Sequence, residues 1–125
     1  MLKKIAFTMF PVKNTARARA FYEDLLGLKV GSHSSNGVWT EYDLPGGGCL
    51  ALFRNPGTKP DDDAPRDGSG GSVAFEVDDL DGLKARLKEK GVVFKNEHVE
   101  SPVCWMSVIA DSEGNSIILH KLKPR

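Results

Sequence analysis

Ser72-Val73-Ala74-Phe75-Glu76-Val77-Asp78-Asp79-Leu80 reads as a strand that runs directly into a helix. Successive side chains in a strand point to opposite faces, so Val73, Phe75 and Val77 turn one way while Ser72, Ala74 and Glu76 turn the other. Asp79 suits the position just before a helix, where its carboxylate accepts an orphan backbone N–H. Leu80, Leu83 and Leu87 then recur at helical spacing, and Gly91 offers the left-handed residue that closes a helix. Three extended runs follow at 92–99, 103–110 and 115–121, the last two separated by the turn Asp111-Ser112-Glu113-Gly114. The unit is βαβββ.

Toward the N-terminus the same order occurs once more. Residues 5–12 form an apolar strand, and Asn14 or Thr15 caps a helix over 15–26 with Ala18, Phe21, Tyr22 and Leu25 on one face. Gly27 ends it. Extended runs at 28–34, 38–44 and 49–54 are separated by Ser35-Asn36-Gly37 and Pro45-Gly46-Gly47-Gly48, whose Gly and Asn residues tolerate positive φ. The halves also match by residue: Val12-Lys13-Asn14 lies over Val77-Asp78-Asp79, and Leu26-Gly27-Leu28 over Lys90-Gly91-Val92. Two such units suffice to cover apolar faces, unlike the many copies of a solenoid. The expected architecture is an α+β fold of two βαβββ modules in one domain spanning 1–125: module one 1–54, a Pro-, Asp- and Gly-rich linker 55–71, and module two 72–125. The run Asp61-Asp62-Asp63 lacks the ligand alternation of a calcium loop and reads as a solvated charge cluster.

Composition narrows the function. The 125 residues carry 17 basic and 17 acidic side chains, so no global field favours nucleic acid or an anionic membrane. The N-terminal residues lack the apolar core of a secretory signal and no stretch is long enough to span a bilayer, which leads to the expectation of a cytoplasmic protein. Cys49 and Cys104 are far apart in apolar runs and read as two buried thiols rather than a redox or zinc motif. There is no glycine-flanked serine elbow, P-loop or dinucleotide fingerprint, which removes covalent serine and nucleotide chemistry.

Several of these stretches together resemble the vicinal oxygen chelate superfamily, which holds glyoxalases, bleomycin-resistance proteins and extradiol dioxygenases. The carriers are Pro11-Val12-Lys13-Asn14 with Ala20-Phe21-Tyr22-Glu23-Asp24-Leu25-Leu26-Gly27-Leu28, then 73–80, then Asp111-Ser112-Glu113-Gly114-Asn115. The resemblance implies a curled mixed sheet forming an open cup, with ligands on the concave face. In metal-dependent members the ligands come from the first and last strand of each module, which here falls on Phe7, Ala51, Ser72 and Ile118. A divalent ion used in catalysis needs at least three nitrogen or oxygen ligands and an open position. These positions offer one hydroxyl. A shift of one residue brings Thr8 or Ala6, Leu50 or Leu52, Val73, and Ile117 or Leu119, which serve no better. No metal and no other cofactor is therefore expected.

The remaining polar candidates are few. His33 and His98 read as ordinary exposed histidines. His120 shares strand parity with Ile118 and Glu76 with Ser72, so both point to the inferred concave face. There they either act as acid and base or serve structure alone. Glu41 is a similar case. Phe7, Met9 and Phe53, with Trp39 and Trp105 on the third strands, would give that face an aromatic lining, although core packing or a dimer interface accounts equally for the tryptophans. The ligand-binding set is thus Phe7, Met9, Trp39, Glu41, Ala51, Phe53, Ser72, Glu76, Trp105, Ile118 and His120. The expected function is a metal-free protein that binds an apolar or aromatic small molecule, as a homodimer like sequestering members of that family. The alternative is a lyase, isomerase or dioxygenase-like enzyme working through His120 and Glu76, or through a metal site not visible in the sequence.

Overall fold

A computed structural model describes residues 1, 3–56 and 72–124, so the Asp61–Asp63 run and all but the first two residues of the expected linker lie outside the described residues. The chain divides into two compact units, Met1–Pro65 and Arg66–Arg125. Each is a βαβββ module with a four-stranded mixed sheet, and the fold is α+β with curled sheets.

In module one, β1 (Thr8–Val12) pairs in parallel with β4 (Cys49–Arg54), which continues antiparallel to β3 (Trp39–Asp43) and then β2 (Val30–His33). The first strand is shorter than the apolar run that announces it: Ile5 and Phe7 precede the paired residues and are exposed. The helical segment begins as expected, with Asn14 Oδ1 accepting the Arg17 N–H at 2.9 Å. It then departs from a uniform α-helix. After α1 (Thr15–Arg19), Ala20–Leu25 widens into a π-helical turn, closed by the Leu26 N–H bonding to the Phe21 carbonyl. The widening keeps both Phe21 and Tyr22 buried on the sheet, where Tyr22 stacks on Tyr42 with ring centroids 5.9 Å apart. Gly27 follows with φ of 75°, a backbone region other residues avoid.

Module two repeats the order. β5 (Ser72–Glu76) pairs in parallel with β8 (Ser116–Leu122), which is antiparallel to β7 (Cys104–Ala110), itself paired with β6 (Phe94–Glu100). Its helix α2 (Leu80–Glu89) is capped by Asp79 and closed at Gly91, and it buries Leu80 and Leu87. Alternation puts Phe10, Val12, Thr40, Tyr42, Leu50 and Leu52 on the helix side of the first sheet, all buried. The corresponding side of the second sheet holds Ser107, Ile109, Ile117 and Leu119, also buried.

Candidate functional site

Each sheet has a second face, away from its own helix, and strand register decides which side chains meet there. In module one, Met9 pairs with Ala51, which pairs with Glu41, while Phe53 pairs with Trp39. Because paired residues share a face, Met9, Ala51, Glu41, Phe53 and Trp39 lie together, with Cys49 and Asp43 one step further along. Phe7, just before β1, packs edge-on against the Trp39 indole at 5.3 Å between centroids and 88° between planes. Phe53 also approaches the indole, at 6.4 Å between centroids and 60° between planes. The Trp39 Nε1–H donates to Glu41 Oε1 at 2.7 Å, so an acid fixes the orientation of the ring. Phe7 and Met9 remain 46% and 44% exposed, which is unusual for large apolar side chains placed side by side. Near the acidic end, burial raises the Cys49 thiol above its ordinary pKa, aided by the negative charges of Glu41 and Asp43.

In module two the same logic joins Ser72 to Ser116, Ala74 to Ile118 and Glu76 to His120, and across β7 joins His120 to Met106 and Ile118 to Val108. Glu76 and His120, 44 positions apart in sequence, touch: His120 Nδ1 lies 2.5 Å from Glu76 Oε1. The second oxygen, Glu76 Oε2, accepts the Leu122 backbone N–H at 3.2 Å. Hydrogen bonding to His120 holds the Glu76 carboxyl below its usual pKa. Beside Glu76 opens a cleft of about 830 Å³ between the end of β5 and the start of α2, bordered by Leu83, Arg86, Lys121 and Leu122.

Trp105 does not join this face. It pairs with Lys121, which has the parity of Leu119 and Ser107, and it lines a smaller cavity of about 390 Å³ with Leu80, Asp81 and Lys84 of α2. Lys123 Nζ sits 5.4 Å from the centre of its ring. The sequence reading placed both tryptophans on one kind of surface; the hairpin register separates them. In module two the position equivalent to Trp39 is taken by Met106, since Met106 pairs with His120 as Trp39 pairs with Phe53. Met106 and Val108 were missed, although counting outward from the turn at Asp111–Gly114 would have found them.

The positions that would supply a metal fare poorly as donors. Phe7 and Ala51 in module one and Ile118 in module two bring phenyl, methyl and alkyl groups, and Ser72 brings one hydroxyl. Among the described residues no three His, Cys, Asp or Glu side chains cluster closely enough to hold an ion. The residues present do not fit a divalent metal at these positions.

Comparison with known proteins agrees with this architecture. The family model described as the Glyoxalase/Bleomycin resistance protein/Dioxygenase superfamily matches residues 4–119. No curated protein matches the chain by sequence. Among solved structures, a glyoxalase/dioxygenase from Nostoc punctiforme is similar with a TM-score of 0.79 at 20% identity, covering 98% of this chain and 93% of that one. A lactoylglutathione lyase from Agrobacterium tumefaciens has a TM-score of 0.73 at 22% identity, covering 96% and 94%. TnmS3, an antibiotic binding protein from a Streptomyces, has a TM-score of 0.68 at 22% identity, covering 98% and 100%. At these identities the structures speak for the fold alone. With two βαβββ modules in the expected order and a family match over nearly its whole length, the chain belongs to the Glyoxalase/Bleomycin resistance protein/Dioxygenase superfamily.

Proposed function

We propose that this protein binds an apolar or aromatic small molecule without a metal ion, against the helix-free sheet faces. The observation that carries the reading is the Phe7–Trp39–Phe53 cluster, an aromatic wall left accessible and oriented by Glu41. Flat ligands gain both apolar burial and ring contact on such a wall, and the adjoining carboxylate sets their orientation. The existence of an antibiotic binding protein on the same fold is consistent with it. On this reading residues 1–125 act as one functional domain, in the cytoplasm and as a homodimer. The exposed Ile5, Phe7 and Met9 supply apolar surface for a second copy or a ligand. No helix of the described residues is long and apolar enough to cross a membrane.

The test is a thermal-shift screen of planar aromatic compounds, followed by titration of Trp39 fluorescence in a Trp105→Phe background. A hit should bind at least about tenfold more weakly to Trp39→Ala, the loss of roughly one hot-spot contact. Trp105→Ala should leave the affinity unchanged. Equal binding to wild type and Trp39→Ala would reject the site. One firmly held divalent ion per chain by metal analysis would reject the metal-free reading, and light scattering that gives a monomer at all concentrations would reject the dimer.

A second reading has one observation in its favour, the contact of His120 with Glu76. A histidine paired with a carboxylate and with apolar side chains as its nearest neighbours on the sheet face suits acid–base work, which points to an enzyme of lyase or isomerase type.

A further inference from the structure

We infer that His120 is a proton acceptor whose reacting atom is Nε2, held in that tautomer by Glu76, and that it serves metal-independent abstraction of a proton from carbon. The inference rests on the second reading above and adds to it the atom, the positioning residue and the class of substrate.

The tautomer follows from the partner. An ionised carboxylate only accepts hydrogen bonds, so the ring nitrogen 2.5 Å from Glu76 Oε1 carries the proton. In a neutral imidazole the other nitrogen then holds a free lone pair. Glu76 is itself pinned, because its second oxygen takes the Leu122 N–H. Among the described residues the His120 ring makes no other hydrogen bond, and no buried side-chain nitrogen or oxygen lacks a partner. Nε2 is therefore open to solvent and to a ligand.

The surroundings select the chemistry. The neighbours sharing its face are Ile118 and Leu122 along β8, Met106 across β7 and Ala74 on β5, all apolar. Glu76 is the charged group facing the ring from β5, and β7 contributes none. Lys121 has the opposite parity, and Lys123 is engaged with Glu100 and the Trp105 ring. An imidazolium formed at His120 is stabilised by Glu76, and the described side chains next to His120 on its own sheet face include no cation to hold a developing oxyanion, Arg86 and Lys121 bordering the cleft beside Glu76 instead. The substrate best matched to these apolar neighbours carries its own electron sink, as an activated C–H beside a leaving group does. A concerted elimination fits: the C–H proton moves to Nε2, the C–H electron pair forms a new π bond, the leaving group departs with its pair, and the imidazolium returns the proton to water.

The probe is 5-nitrobenzisoxazole, a planar aromatic whose C3–H is removed while its N–O bond breaks to give a nitrile and a phenolate, with no co-reactant. Nitrogen-15 NMR of the full chain, above the imidazole titration, should show His120 protonated at Nδ1 and bare at Nε2. Glu76→Ala should lose that preference, and Glu76→Gln, which keeps an oxygen acceptor, should retain it. The elimination rate should fall at least about a hundredfold in His120→Ala and in His120→Gln, the usual scale of general-base catalysis. Glu76→Ala should lower kcat with little change in KM. Unchanged melting curves show that each variant folds. A wild-type His120 protonated at Nε2 would overturn the inference while leaving an enzyme possible. The expected tautomer with elimination indifferent to both His120 substitutions would overturn the second reading itself.

Discussion

Asp111 is buried, and its Oδ1 accepts the backbone N–H groups of Glu113 and Asn115, both at 2.8 Å, while the Asn115 side-chain amide donates to Oδ2 at 3.0 Å. One carboxylate thereby shapes the turn that sets β7 against β8, and through that register the placement of His120 and Met106. Asp111→Ala leaves buried donors unpaired and should destabilise the fold by about 2–4 kcal/mol in urea unfolding, with Asp111→Asn milder. Glu23 is a second residue whose role is electrostatic. It takes Arg19 Nε at 2.7 Å and the Tyr42 hydroxyl at 2.9 Å, and the Arg19 bond holds its pKa below the ordinary carboxylate value. A depressed carboxylate stabilises the native state fully above its unfolded pKa and loses that contribution as pH falls through its folded one. The melting-temperature gap between wild type and Glu23→Gln should therefore be widest near neutrality and shrink in acid. A gap independent of pH would contradict the ion pair.

At the scale of elements, α2 shows a local conflict that only coordinates expose. Asp79 caps the helix through the Gly82 N–H at 3.0 Å, and a Cβ added at Gly82 would lie 2.3 Å from Asp79 Oδ2. Gly82 is the third residue of α2; glycine within a helix is unfavourable by up to about 1 kcal/mol against alanine, and an N-cap is worth about the same. Gly82→Ala should thus gain little in the wild type, where it displaces the cap, but stabilise Asp79→Ala by about 1 kcal/mol. Additive effects in the double-mutant cycle would refute the conflict. The capping residues and closing glycines were legible because they act on neighbours in sequence. The π-helical turn at Ala20–Leu25 was not, since Phe21 and Tyr22 are drawn to the sheet by partners such as Tyr42, twenty positions away. Trp105 escaped for a related reason: its strand was evident, but its face depends on pairing with Lys121 across a hairpin.

For the whole molecule, a ligand that binds only the folded chain raises its stability in proportion to the logarithm of concentration. At a hundred times its Kd, a true ligand of the aromatic face should add about 2.7 kcal/mol, and at that concentration a roughly tenfold loss of affinity in Trp39→Ala should cut the gain to about 1.4 kcal/mol. A compound that raises the melting point of both proteins equally binds elsewhere.

The chain by itself determined the duplicated βαβββ order, the helix caps, the closing glycines and the poverty of metal donors at Phe7, Ala51, Ser72 and Ile118, because residue identity and periods of 2 and 3.6 are written locally. Only the tertiary structure decided that Glu76 meets His120, that Phe7 and Phe53 both contact the Trp39 indole, and that Trp105 lies on the helix side. Those contacts depend on register between strands distant in sequence, and a one-residue slip in pairing would send each side chain to the opposite face.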